Sequence, residues 1–336
     1  EPRIDFKDNT KGALLLEPSR TNFDSDSENF STSFMSNSNG IQSSSLVSDV
    51  APDGTTNSVF KISKVTDNSD PYIGRSGVPF TSTNLVFSVW LWTDTDQPKD
   101  VLLLIYRDAV AEIETKNITL TTTPTRYFIQ KTFSNTPSNI SYRIDLSPTN
   151  SNQYIYAWGK QVENGSYATS YIPTSGSAVT RVGDVCTNGA NDVVINSTEG
   201  VLYFEVAALA DDGTSRNISI FQNVSNFIKF QYSSTSNRVD FVAFSSGAVS
   251  CNITKVISNT TDNNKFALKW KLNDFALWVN GVEVGTDLSG NTPIGMDKIS
   301  FTNEGGSSGN FYGKPKALAV YNTALSDSEL QALTTI

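Results

Sequence analysis

The sequence predicts an all-β protein: two tandem antiparallel β-sandwiches of jelly-roll type, followed by one short C-terminal helix. Three observations predict it. Apolar and alternating segments recur along the whole chain, separated by Gly, Pro, Asn and Asp, which is the spacing of an antiparallel sandwich. Charged residues are only 18% and Ser, Thr and Asn fill the gap, whereas a helical protein would be rich in Glu, Lys and Ala. Helix-start chemistry coincides with helical periodicity in one place only, near the C-terminus. A length of 336 residues then suits about two domains.

The elements follow in order. Residues 1–22 are an extended segment with one strand at 13–16, where Ala13 and three leucines lie between Gly12 and Pro18. Residues 23–57 are rich in Ser and Asn, and the scattered Phe30, Phe34, Met35, Ile41, Leu46 and Val47 predict weak strands between loops. Residues 58–64 alternate, with Phe60 and Ile62 on the face opposite Val59. LVFSVWLW (85–92) and VLLLIY (101–106) are apolar on both faces, as central sandwich strands are. Strands at 126–133, 140–146 and 154–162 complete a first sandwich over 23–175. A connector at 176–192 leads to a second sandwich over 193–336. Its strands are predicted at 200–209, 217–222, 227–232, 239–244, 251–257, 266–272, 275–279, 298–301 and 317–321. Asn280-Gly281 between two of its strands suits a type I′ hairpin turn, which needs φ > 0 at both positions. Ser326-Asp327-Ser328-Glu329 is a capping box ahead of Leu330 and Leu333, and so starts the helix.

GSYATSYIPTSGSAVTR (165–181) closes the first sandwich. Pro173 stiffens its extended path and removes a donor. Tyr167, Tyr171 and Ile172 are expected to anchor it onto that sandwich, because large aromatics are buried far more often than not.

The composition excludes several kinds of chemistry. The chain has no His, so a Ser-His-Asp or Cys-His triad and a His-ligated zinc site are impossible. Net charge is −9 with no Lys/Arg cluster, so a nucleic-acid partner is not expected. No apolar run approaches the roughly 20 residues of a membrane span, so no membrane insertion is expected either. No secretory signal pattern is expected in the sequence as it stands, which starts at Glu1. Cys186 and Cys251 are compatible with one disulfide or with two buried thiols.

ALLLEPSRTN (13–22) together with WGKQVENGSYATSYIPTSGSAVTR (158–181) resembles a module of bacteriophage virion proteins, in which such a pair brackets a jelly roll like a carbohydrate-binding module. GVLYFEVAAL (200–209), the LWVNG hairpin (277–281) and the ending GKPKALAVYNTALSDSELQAL (313–333) are similar to the concanavalin A-like or LamG-like lectin sandwich. The resemblance implies a virion-surface protein, a tail or head fibre or related appendage. Such a protein attaches to host-surface glycans without catalysis and contacts other virion proteins, often as a homo-oligomer. It leaves open a purely structural virion subunit and a secreted bacterial protein that binds or degrades glycans. It also implies calcium near one rim of the second sandwich. The acidic turns there are Asp211-Asp212-Gly213 and the one at Asp262, although Asp-Asp-Gly is also simply a turn sequence.

A sugar site needs aromatic faces for the C–H side of the ring and planar polar groups for its hydroxyls. Trp90 and Trp92 share one strand face; Tyr154, Tyr156 and Trp158 share another. Either set serves as a platform or as core, and the second is favoured as the outward one because Ile155 and Ala157 alternate with it. In the second sandwich Trp270 follows a core pattern with Phe266 and Leu268, while Trp278 is a candidate for the outside. No Glu-x-Asp-x-x-Glu pattern of a jelly-roll glycanase is present. Glu112 and Glu114 share a face only if their segment is a strand, and Glu205 stands alone.

Overall fold

The computed structural model describes residues 3–6, 10–65, 70–97, 100–107, 112–146, 154–304 and 308–336. The architecture is the predicted one: antiparallel sheets throughout, and one helix, Asp327–Thr334. Two units form, one from residues 19–182 and one from residues 1–18 together with 183–336.

In the 19–182 unit, two five-stranded sheets enclose one core. One sheet runs in the order Glu112–Thr119, Asp100–Arg107, Asn139–Leu146, Tyr72–Pro79, Asn37–Asn39; the other runs Thr125–Thr132, Asn84–Trp92, Tyr154–Asn164, Val59–Lys64, Ile41–Val47. Alternation decides what faces inward. Along Asn84–Trp92, Leu85, Phe87, Val89 and Leu91 enter the core, and Val86, Ser88, Trp90 and Trp92 point away from it. Phe87 stacks on Tyr142 from the facing sheet, with centroids 4.3 Å apart. Burying each such side chain contributes roughly 1.5–3 kcal/mol.

The two motifs that bracket this unit meet. Arg20–Asn22 pairs antiparallel with Val179–Arg181. Between them, residues 166–174 lie as a strap against the end of Tyr154–Asn164. Gln161 Oε1 accepts the Ile172 N–H at 2.8 Å, and Glu163 accepts the Thr169 N–H at 2.9 Å and its hydroxyl at 2.6 Å. The fully buried Asn22 ties the pieces together. Its Oδ1 accepts the N–H groups of Val162 (3.0 Å) and Asp24 (3.1 Å), and its Nδ2 donates to the carbonyls of Ile172 (2.9 Å) and Lys160 (3.4 Å). Ile172 is buried and Tyr171 partly so, as the connector reading expects.

Beside this junction lies a buried ionic group. The Asp24 carboxylate accepts from Arg75 (3.1 Å), the Tyr142 hydroxyl (2.5 Å) and the Asp26 N–H (3.1 Å). Lys160, also fully buried, donates to the carbonyls of Asp26 (2.5 Å) and Asn29 (2.6 Å) and lies 3.9 Å from Asp24. Burial pushes the Lys160 ammonium down to about 8, against the opposing pull of Asp24, Asp26 and Glu28 and in concert with Arg75.

The other unit is built the same way. Its sheets run Val282–Asp287, Phe275–Val279, Asn264–Lys271, Glu199–Ala208, Gly313–Tyr321 and Ala248–Val256, Arg238–Ser245, Asn226–Tyr232, Arg216–Asn223, Lys298–Ser300. Trp270 lies in its core and donates its indole N–H to the Asn196 carbonyl at 3.0 Å. Asn280 (φ 50°) and Gly281 (φ 83°) form the expected hairpin turn. Glu329 accepts the N–H and hydroxyl of Ser326 at the start of the helix.

The division differs from the expected boundaries at the N-terminus. Strand Ala13–Leu15 pairs with Arg3–Asp5, Leu16 bridges Gly313, and the Leu16 side chain is buried in the core of the 183–336 sandwich. Arg3 bonds to Glu17 and Asp184, and Lys314 lies 2.6 Å from Asp5. An apolar strand of this kind declares that it is buried but not against which partner, and adjacency in sequence suggests the wrong one.

Asn22→Ala leaves several buried groups without partners and is expected to cost about 3 kcal/mol, read as a fall in the denaturation midpoint. Lys160 titrates at about 8 folded and at about 10.4 unfolded, so between these values the unfolded chain holds more protons and stability rises with pH. Lys160→Met is expected to lose that rise, measured as the difference in unfolding free energy between about pH 7 and pH 10.

Candidate functional site

The face of the Asn84–Trp92 sheet that points away from the core carries almost every aromatic candidate, because the registers of its five strands bring them into rows. Strand pairing places Val47, Val59, Trp158, Trp90 and Arg126 across one row. Ser45, Lys61, Tyr156 and Trp92 form the next, and Ser43, Ser63 and Tyr154 a third. The two aromatic sets read separately from the sequence are therefore one surface.

The first row is dry. Trp158 is fully buried under Ala51, Val59 and Tyr171, and its indole donates to Ser58 at 3.1 Å. Trp90 meets Trp158 edge-on at 5.1 Å, Tyr171 at 5.5 Å and the Arg126 guanidinium at 4.4 Å. Gly159 (φ +61°) makes this possible: a Cβ there would come within 3.0 Å of the Trp90 ring. Trp92 is only 6% exposed beneath Tyr156, which stacks on it at 5.5 Å and 20°. Trp158 and Trp92 are thus corrected from candidate platform to packing, and Trp90 is closed in on several sides.

The far rows are open. Tyr154 and Tyr156 are half-buried and meet edge-on at 5.7 Å. Both hydroxyls donate to Asp94, that of Tyr156 at 3.3 Å. The hydrogen bond to Asp94 holds the Tyr154 phenol well above its ordinary range, and burial, with Asp94 beside it, pushes Tyr156 up to about 12. Both remain neutral donors at physiological pH. The Lys61 ammonium sits 3.5 Å from the Tyr154 ring centre and 5.7 Å from that of Tyr156. Two rings, a carboxylate, an ammonium and the hydroxyls of Ser43, Ser45 and Ser63 thus share one shallow surface. Lys61, Asp94 and the serines were missed in the sequence. The alternation VFKISK placed Lys61 and Ser63 opposite Phe60 and Ile62, and that was the available signal.

The remaining candidates do not assemble into sites. Trp278 does lie on an outer sheet face, but it is buried with Val201, Ala267, Ala276 and Leu330 of the terminal helix. The proposed calcium ligands do not fit an ion. Asp211 accepts from Ser236 and the Asn237 N–H, Asp212 from the Thr214 N–H and Arg216, and Asp262 from Asn259. Among the described residues no three metal-ligating side chains converge. Glu112 and Glu114 lie on an edge strand, paired with Arg107 and Lys131 respectively, and Glu205 is paired with Lys316. Cys186 and Cys251 are both free thiols, which corrects the disulfide alternative.

No protein-family model matches the chain, and no curated protein matches it. Solved structures similar to it include a leech intramolecular trans-sialidase (16% identity, 46% of this chain and 27% of that one, TM-score 0.38). A galectin of Caenorhabditis elegans matches at 11% identity, covering 40% of this chain and 89% of that one, with TM-score 0.31. Domains LG4-5 of the mouse laminin α1 chain match at 10% identity, covering 78% of this chain and 90% of that one, with TM-score 0.31. The scores are low, and no feature of the site rests on them.

Burial raises both thiols, Cys251 to about 12. A disulfide-exchange reagent is expected to label Cys186 slowly in the folded protein and Cys251 only after unfolding, with no change in gel mobility on reduction.

Proposed function

We propose that the chain is a non-catalytic glycan-binding component of a bacteriophage virion surface, a fibre, appendage or decoration that meets host-cell sugars. The observation that carries the binding reading is the open end of the aromatic face. Tyr154 and Tyr156 offer apolar ring surface, and Asp94, Lys61 and three serines offer hydrogen bonds beside it. That is the composition a sugar ring requires, apolar on its C–H side and polar around its rim. Two half-buried rings on a sheet face suit weak single-site binding strengthened by many copies on a particle. The virion assignment rests on the resemblance of the paired motifs at 13–22 and 158–181. Glu112, Glu114 and Glu205, the carboxylates weighed for cleavage, are engaged by cations, which favours holding a glycan over cleaving it.

A second reading, a purely structural virion subunit, draws on the burial of Trp92, Trp158 and Trp278, which serve packing alone. The two readings part on one experiment. Tyr154→Ala and Tyr156→Ala are expected to weaken binding of a multivalent form to host-surface glycan by about tenfold each, roughly 1.4 kcal/mol. The circular dichroism spectrum should be unchanged. Failure of the unmodified multivalent form to bind any host glycan would leave the structural reading standing.

A further inference from the structure

The charges around the tyrosine platform say more about its ligand than the rings do. The Lys61 ammonium lies on the face of Tyr154, where a stacked sugar would have to lie, so ligand and ammonium compete for the same ring surface. Lys61 is half-buried and pairs with no carboxylate among the described residues, so a flexible arm, rather than an ion pair, has to move. Asp94 cannot follow it, because its carboxylate is held by two phenol hydroxyls. Asp96 lies in the turn closed by the Gln97 N–H on the Asp94 carbonyl, and the Gln97 side chain of that turn accepts the Tyr154 N–H; Asp49 follows two residues after Val47 of the same sheet face, and both are exposed. Among the described residues, three carboxylates therefore lie beside the platform against one ammonium.

Resting on the glycan-binding reading above, we infer that this platform takes uncharged sugars and turns away acidic ones, with Lys61 leaving the Tyr154 ring as the sugar arrives. A neutral sugar loses nothing to the surrounding carboxylates, and its hydroxyls meet Ser43, Ser45, Ser63 and Asp94. A uronic or sialic acid gains Lys61 as a partner but faces the other charges, a net repulsion of two. Across a solvated surface each uncompensated charge is worth about twofold in affinity at low salt, so an acidic sugar is expected to bind about fourfold more weakly per site.

The test presents the full chain in multivalent form to a neutral glucan or mannan, to polygalacturonate, and to chitosan, at low and high ionic strength. The expected result is binding to the neutral polymer and weaker binding to polygalacturonate, with the gap closing near about 1 M salt, where screening falls to about 3 Å. Asp49→Asn with Asp96→Asn is expected to raise the acidic-to-neutral affinity ratio about fourfold. Lys61→Met is expected to lower that ratio, because it removes the one cation. Polygalacturonate binding as tightly as the neutral polymer, or a ratio indifferent to salt and to both variants, overturns the inference while the glycan reading survives. Binding to none of the three polymers brings down the glycan reading itself, and this inference with it.

Discussion

One amide side chain holds the 19–182 sandwich together at its seam. Asn22 uses both ends of its carboxamide on backbone groups from three separate stretches: its own turn, the long Tyr154–Asn164 strand and the strap. Hydrogen bonds of this kind add little net free energy while made and cost heavily when one partner is missing, so they specify an arrangement more than they strengthen it. Gln161 and Glu163 extend the same device along the strap. Because they point away from the core, the strap must lie on the outer face of the sheet, and that face is thereby split. One end is sealed by Tyr171, Ile172 and Ala51. The other keeps its tyrosines within reach of solvent.

The split explains why five large aromatics on one sheet face, Trp90, Trp92, Tyr154, Tyr156 and Trp158, have different fates. Trp158 and Trp90 in the sealed row find neighbours on several sides and, with Trp92 beneath Tyr156, form a small second core behind the main one. A tyrosine in the open rows keeps its ring partly exposed and needs a partner for its hydroxyl, which Asp94 supplies to both. The same residue types thus stabilise the fold at one end of a strand and offer chemistry at the other. The deciding variable is which stretch of chain passes overhead.

Much of this was legible in the sequence. Alternation and continuous apolar runs located most of the long strands, though not Glu112–Thr119 or Val282–Asp287, and the outward direction of Tyr154, Tyr156 and Trp158 followed from Ile155 and Ala157 between them. The strand Tyr72–Pro79 was not foreseen, because two glycines and a proline mask its apolar residues and the sheet, rather than local propensity, holds it extended. Burial of Trp158 was one of the two readings left open for its set, whereas that of Trp278 was out of reach, because the terminal helix that covers it is not coupled to the strand pattern. The free state of Cys186 and Cys251 had no sequence signal at all, since two cysteines far apart in the chain say nothing about distance in space. Partners of the first strand were invisible for the same reason.

That first strand bears on how the chain is made. Residues 1–18 leave the ribosome well before the sheet edge they join, at Gly313. At about 5–20 residues per second, the opening hairpin and its three leucines wait for tens of seconds with their partner unmade. Throughout that interval the 19–182 sandwich has everything it needs to close, whereas the unit formed by residues 1–18 and 183–336 does not. Its completion is a long-range docking of early-made residues onto a stretch made much later.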